Sequence, residues 1–514
     1  MNFRLVIVFV IWLGAIPVAS AQQTDSSVSP ATPSKQPPFV PAADGGLGST
    51  MTLEQQKAPM KQREEKATKL RITMPAGEPV PALKYQFWPA RSALKPGSAQ
   101  QHFFRALTLL PSQTPVYHKQ LEALSSPDGD DPDMATVRSF IDTQTAVLNE
   151  LHTMALSEVV DMDHHIRDLS GIELYSFLLP DVQQARTLAR LLRLRALEQL
   201  DRRDFEGAVS TISDGYRLSS LIATGETLIE QLVAIAIASI MEDTVDRAIQ
   251  TPGCPNLYWA LASLPRPISK IRDSVQFEMH FLTRLFPLLA DAEHANYPEE
   301  VWRKRWVDSL EPLGKLTGDS SNKVSLALAM ATVGFVEPAR QRLLGSGFSA
   351  EKLENMPPTQ IVIIDTAREL RRLSDESVKA YLLPIEMRKP LMVARDRRFQ
   401  QWVQEERWSS GGAMVASVFF PAISQVHEAE VRKLMTQQRL MTVEALRMHA
   451  ATHEGKLPES LDQLDPVPAM PDPYTGKPFG YRVESIDGRA IVILTADVPA
   501  SAEMLREYRI QIDR

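Results

Sequence analysis

A single change of hydrophobic period, at Gly455, constrains this chain more than any other feature. From about residue 97 to 450, apolar residues recur at three- and four-residue intervals, which places them on one face of an α-helix. Beyond Gly455 they alternate, as in half-buried strands. The two periods cannot share one element, so the fold class is predicted to be mainly α. A multi-helix body, hairpin or solenoid-like, leads into a small C-terminal α+β tail with a short antiparallel sheet. Composition agrees. Of 514 residues, 23 are Gly and 37 are Pro. Gly is thus below its usual share of about 7% and Pro above its share of about 5%. Helices divided by proline breaks suit that balance, and a glycine-rich phosphate cradle does not.

The body divides at its caps and prolines. Asp181 can cap a helix beginning at Val182, Asp204 a second through about Ile222, and Gly225 separates a third over residues 226–249. Further helical patterns cover 269–290, 299–310, 324–344, 359–382 and 386–408. The last, 413–452, is long for a globular helix, and Pro421 is expected to kink or start it. Ala196 to Leu200, Asp204 to Ala208, Ile212 and Tyr216 resemble half of a tetratricopeptide repeat. No second copy lies about 34 residues away, and an array needs at least three repeats, so an ordinary helical hairpin is the better reading.

The N-terminus reads as a signal peptide over residues 1–21. Arg4 precedes an apolar run from Leu5 to Ile16, Pro17 breaks it, and Val18-Ala19-Ser20-Ala21 supplies a small-residue cleavage pattern. The run is shorter than the roughly 20 residues a membrane-spanning helix needs. Residues 22–69, rich in Ser, Thr, Pro, Gln and Lys, form a linker too polar to build a core and are expected to be disordered. The body then occupies 70–408, opening with an extended Pro-rich stretch to about 96, and the tail 409–514. A periplasmic or secreted location follows, with no transmembrane segment after cleavage.

The tail carries a hairpin signal, Asp487-Gly488 between the β-prone runs 479–486 and 490–494, and residues 507–512 alternate as a third strand. Several motifs come in order before and within it: Val418-Phe419-Phe420-Pro421-Ala422-Ile423, Ala445-Leu446-Arg447, Gly455-Lys456-Leu457-Pro458 and Leu461-Asp462-Gln463-Leu464. Pro471-Asp472-Pro473-Tyr474-Thr475-Gly476-Lys477-Pro478-Phe479, with Tyr481, completes them. This segment resembles the helix and head of pilin-like proteins, particularly the major pseudopilins of type II secretion. The whole arrangement is similar to exported bacterial helical proteins with a pilin-like tail, a set without an agreed activity. The resemblance implies a helix leading into an antiparallel head. A pseudopilin, however, begins with its assembly helix, whereas here residues 70–408 come first. The calcium loop of that family is not carried over. Only Asp497 stands where it would begin, Val498-Pro499-Ala500-Ser501-Ala502 adds no acid, and calcium takes six to eight oxygen ligands.

Little in the chain reads as chemistry. One Cys among 514 residues excludes a disulfide framework and a multi-Cys zinc ribbon. Cys254, in the turn Pro252-Gly253-Cys254-Pro255, has no local base. His164 and His165 are metal-ligand types, but adjacent residues point apart on a helix. His449 and His453 share a helical face without an identifiable third ligand, so these four are weak metal candidates and no metal or other cofactor is expected. Paired acids, Glu405-Glu406 and Glu428 with Glu430, fit solvated faces. Arg186, Arg190 and Arg193 line one helical edge, and Arg388-Lys389 with Arg395, Arg397 and Arg398 form another basic group; both read as solvent-facing charge. The cluster best suited to an anionic glycan, lipid headgroup or protein is Trp302-Arg303-Lys304-Arg305-Trp306. A net charge of −7 argues against nucleic acid as a partner.

The expected function is therefore that of an exported, non-catalytic helical protein working through protein or cell-envelope contacts. Two alternatives stand beside it: an envelope hydrolase whose site is assembled from distant residues, and a component or client of a secretion or pilus-like system. The leader makes a direct test available. N-terminal sequencing of the exported protein should begin at Gln22, and a mature chain beginning at Met1 would refute cleavage.

Overall fold

The computed structural model describes residues 71–513 apart from 112–114, 126–132, 163, 171–179, 317–322, 407, 420, 487 and 499–505. The expected signal peptide over 1–21, the expected linker over 22–69 and Asp487 lie outside the described residues. The chain is mainly helical with a small C-terminal sheet.

The first helices are α1 (Ala99–Leu109), α2 (Pro115–Ser125), α3 (Met134–Asp142), α4 (Thr145–Ala155), α5 (Pro180–Asp201), α6 (Phe205–Ile222), α7 (Leu228–Gln250) and α8 (Tyr258–Ala262). Asp204 caps α6 by accepting from the Gly207 N–H at 2.9 Å. Thr227 and Glu230 form a reciprocal capping box at the start of α7. Next come α9 (Ile271–Leu285), α10 (Pro287–Asp291), α11 (Glu299–Leu316), α12 (Lys323–Gly345), α13 (Ala350–Glu354), α14 (Pro358–Tyr381) and α15 (Ile385–Glu406). The expected 269–290 helix is broken before Pro287, and the expected 413–452 helix is two, α16 (Gly411–Phe419) and α17 (Pro421–Thr452). In both cases proline is the first residue of the second helix, where its missing N–H costs nothing.

Three strands of the sheet come from the tail: β4 (Gly480–Ile486), β5 (Arg489–Thr495) and β6 (Glu507–Asp513). They run antiparallel, with Ile486 opposite Arg489 across the hairpin that holds Gly488. Gly488 sits at φ +75°, a conformation glycine adopts freely. The fourth strand was not foreseen. β1 (Arg71–Pro75) joins the other edge, parallel to β6, with Ile72 opposite Ile510. The extended opening of the body is thus part of the tail sheet. A second small sheet pairs β2 (Lys95–Ser98) with β3 (Ser157–Val159).

The apolar interior forms two clusters, and neither ends at the expected 408/409 boundary. One gathers α1 to α8, the C-terminal half of α17 and the four-stranded sheet. The other gathers α9 to α16 with the first turns of α7 and α17. At 32 residues, α17 is long enough (~48 Å) to serve both.

The C-terminal half of α17 is held by buried charge. Arg447 is fully buried and pairs with Glu444 at 2.6 Å. Its Nε donates to the Pro75 carbonyl at 2.7 Å, at the end of β1, and Nη2 to the Cys254 carbonyl at 3.2 Å. Glu444 accepts the Leu257 N–H at 2.9 Å, and its own carbonyl accepts Asn256 Nδ2 at 2.8 Å. Lys433 pairs with buried Glu242 of α7 at 3.4 Å, and Tyr508 of β6 donates to Asp246 at 2.6 Å.

Removing one member of such a pair leaves an uncompensated buried charge, at a cost of about 3–5 kcal/mol. Arg447→Met should therefore destabilise the protein by that amount in urea unfolding. Arg447→Met with Glu444→Leu should recover part of the loss, and a double mutant no better than the single would refute the pairing energy.

Candidate functional site

Three clusters outside the hydrophobic interior could act on a ligand. The largest is a groove of about 470 Å³ between α14 and α15. Leu373, Leu391, Phe399 and Trp402 supply its apolar surface, and four cations line it against one carboxylate: Arg372, Lys379, Arg395 and Arg398 with Glu376. Lys379 and Arg395 are tied to Glu376 and Asp396. The α15 helix is unusual in its packing. Of 22 residues only Met392 is buried, while Met387 is 55% and Leu391 44% exposed. Its C-terminal end is anchored by Arg342 of α12, which reaches Asp365 of α14 at 2.7 Å and Glu406 at 3.2 Å.

The second is a polar cavity of about 230 Å³ between α3, α4, α5 and α6. His152 on α4 donates from Nδ1 to Asp214 on α6 at 3.0 Å. Asp214 is buried, which pushes its carboxyl up to about 6 despite the imidazole. The hydrogen bond to Asp214 raises His152 in turn, against the effects of burial and of Lys95. Asn149, Arg195, Ser210 and Thr211 also line the cavity, and the Gln199 amide donates to Thr211 Oγ1 at 2.8 Å.

The third is closed. His164 lies between Glu230, 2.7 Å from Nδ1, and Asp181, 2.9 Å from Nε2. Burial alone would lower its pKa, but both hydrogen bonds and both charges outweigh this and raise it to about 9. Asp181, expected as a helix cap, lies instead in the first turn of α5 and spends its carboxylate on this imidazolium.

The other sequence candidates are placed as follows. His165 takes a left-handed backbone at φ +49°. His449 and His453 do share a face, with rings stacked at 3.9 Å, but His449 Nδ1 accepts the Asp465 N–H and His453 Nδ1 bonds the His449 carbonyl. Among the described residues no group of three or more His, Cys, Asp or Glu could hold a metal ion. Cys254 is buried, which pushes its thiol up to about 12. The five-residue patch on α11 is divided by the helix: Trp302 and Trp306 are buried in the second cluster, and Arg303, Lys304 and Arg305 stand on the exposed face. Apolar residues four apart must share one face, and packing claims it.

The arginine edge of α5 is not solvent-facing: burial lowers Arg186, to about 10, and Arg193. Arg388 pairs with Glu430 at 2.9 Å and Lys389 with Asp497 at 2.6 Å, so these too are committed. Asp472 of the Asp-Pro-x-x-Gly motif accepts the N–H groups of Tyr474 at 2.8 Å and Asp497 at 3.2 Å. That motif builds a turn and fastens it to the end of β5. Sequence reasoning missed His152 and Asp214, which are 62 positions apart, and the Phe399–Trp402 pair beside the arginines it did notice.

Among the described residues no helix is long and apolar enough to cross a membrane. No family model, no curated protein and no solved structure matches this chain.

The His164 cluster has a calculable pH signature. A histidine raised from about 6.5 to about 9 stabilises the fold fully below pH 6.5, and that contribution is lost as pH rises through 9. At most about 3 kcal/mol is involved. Unfolding of wild type and His164→Gln should differ most near pH 6 and converge above pH 9. A gap that widens with pH would refute the assignment.

Proposed function

We propose that this is an exported, non-catalytic helical protein that acts by holding a protein partner in the cell envelope. The observation carrying this is α15, a 22-residue helix with one buried side chain, whose aromatic and aliphatic residues face an open groove. A helix so sparsely packed gains little from its own fold and presents a surface suited to a second element. The lining supports one kind of element. With Lys379 and Arg395 already paired, an apolar floor edged by Arg372 and Arg398 complements an amphipathic helix with an acidic edge.

The pilin-like reading of the tail belongs to the same proposal, and with it the variant in which the protein is a component or client of a secretion or pilus-like system. Its support is the ordered motif set from Val418 onward, together with a helix followed by antiparallel strands. The hydrolase alternative draws support only from the His152–Asp214 pair.

A photoreactive phenylalanine at position 402, in the protein expressed in its own host, tests the groove. One discrete protein adduct is expected, abolished by Arg398→Glu with helical circular dichroism unchanged. Adducts to lipid alone, or none, would overturn the reading.

A further inference from the structure

The polar cavity of α3 to α6 is independent of the α14–α15 groove and has a chemistry of its own. Its floor is the His152–Asp214 pair. The carboxylate is almost wholly buried and spends both oxygens on Nδ1, at 3.0 and 3.2 Å. This leaves imidazole Nε2 as the group not used by the carboxylate, on a side chain half exposed at the cavity. The pairing also favours the imidazolium, the form in which both ring nitrogens donate.

Around it the lining is rich in donors. Arg195 brings a guanidinium, Asn149 an amide and Ser210 a hydroxyl. Asp214 is the one carboxylate in the lining and is already engaged. Behind Arg195 lies buried Glu198, but three arginines share it: Arg195 at 3.1 Å, Arg202 at 3.2 Å and Arg138 at 3.5 Å. Arg138 also reaches Asp201 at 3.5 Å, so three guanidiniums stand against two carboxylates there, and Lys95 adds a further positive charge near His152. A site with several donors, surplus positive charge and a single carboxylate, already engaged, selects for an anion. Its volume, about 230 Å³, is below the range of roughly 300–1,000 Å³ for drug-sized ligands.

We propose that this cavity is a binding site for a small oxyanion, a carboxylate or a phosphate, held by His152 Nε2 and Arg195 with Asn149 and Ser210 at its edge. Asp214 acts as a positioning residue: it orients the imidazole and keeps it charged, as a carboxylate does for a histidine whose far nitrogen must donate. Thr211 and Gln199 fix the wall on which Arg195 stands.

Titration of the full chain with succinate and, separately, inorganic phosphate tests this, read by calorimetry and by the ring resonances of His152. One-site binding that shifts His152 is expected for at least one anion, and the tighter of the two identifies the headgroup. Loss of one charge-assisted hydrogen bond should weaken binding about tenfold or more in His152→Gln and in Arg195→Gln. Asn149→Leu, which narrows the mouth without changing charge, should weaken it as well, which guards against a variant that fails to fold. Leu83→Ser should bind as wild type does, since Leu83 is exposed and lies outside both the cavity and the groove. Two results would overturn the proposal: neither anion moving His152 at millimolar concentration, or equal weak affinity in every variant, which would mean an adventitious ion only.

Discussion

The structure depends most on one buried guanidinium. Arg447 binds three parts of the chain that are far apart in sequence: the end of β1 through Pro75, the turn before α8 through Cys254, and its own helix through Glu444. Removing two charges from water costs several kcal/mol per ion, and this is offset only where the geometry satisfies the donors. Here the carboxylate and two backbone carbonyls do so, while Glu444 is satisfied in turn by the Leu257 N–H. A clamp of this kind favours one docking of α17 over neighbouring ones, because a slip of a single residue would strand both charges. The parallel pairing of β1 with β6 follows, since the strand ends where the guanidinium takes its carbonyl.

The second core is built differently. Its interior is aliphatic and aromatic, centred on Trp302, Trp306 and the run Ile361 to Ile364. Arg342 gathers Asp365, Glu369 and Glu406 at one end of the α14–α15 pair. Arg388 ties the other end to Glu430, and between the two anchors Leu373, Leu391, Phe399 and Trp402 line the groove. Anchored ends and an uncovered face on the same helix suit a docking element better than a structural one.

The two proposed sites ask for different ligands for physical reasons. The groove has apolar area and peripheral charge, which rewards a large partner that buries surface. The His152 cavity is small and donor-rich, which rewards an anion that brings its own charge. One lies against each hydrophobic cluster.

Helical body and β tail were both legible in the sequence, because hydrophobic period reports directly on local geometry. So were the Asp204 cap and the break at Pro421, since caps and prolines act within a turn of where they stand. The turn at Gly488 was legible for the same reason. What the sequence could not reveal was decided by distance. β1 looked like part of an extended Pro-rich stretch because a strand's partner leaves no mark on its own residues. Trp302 and Trp306 looked like company for the arginines between them, until helical geometry turned them to the opposite face. Asp181 looked like a cap, but His164 took its carboxylate. His152 and Asp214 carry no shared motif at all. Local sequence determined which segments became helices and strands, because those choices rest on neighbouring residues. Only the tertiary structure decided which charges were buried, which were paired and which faced a cavity, because those energies arise between residues that meet only when the chain is folded.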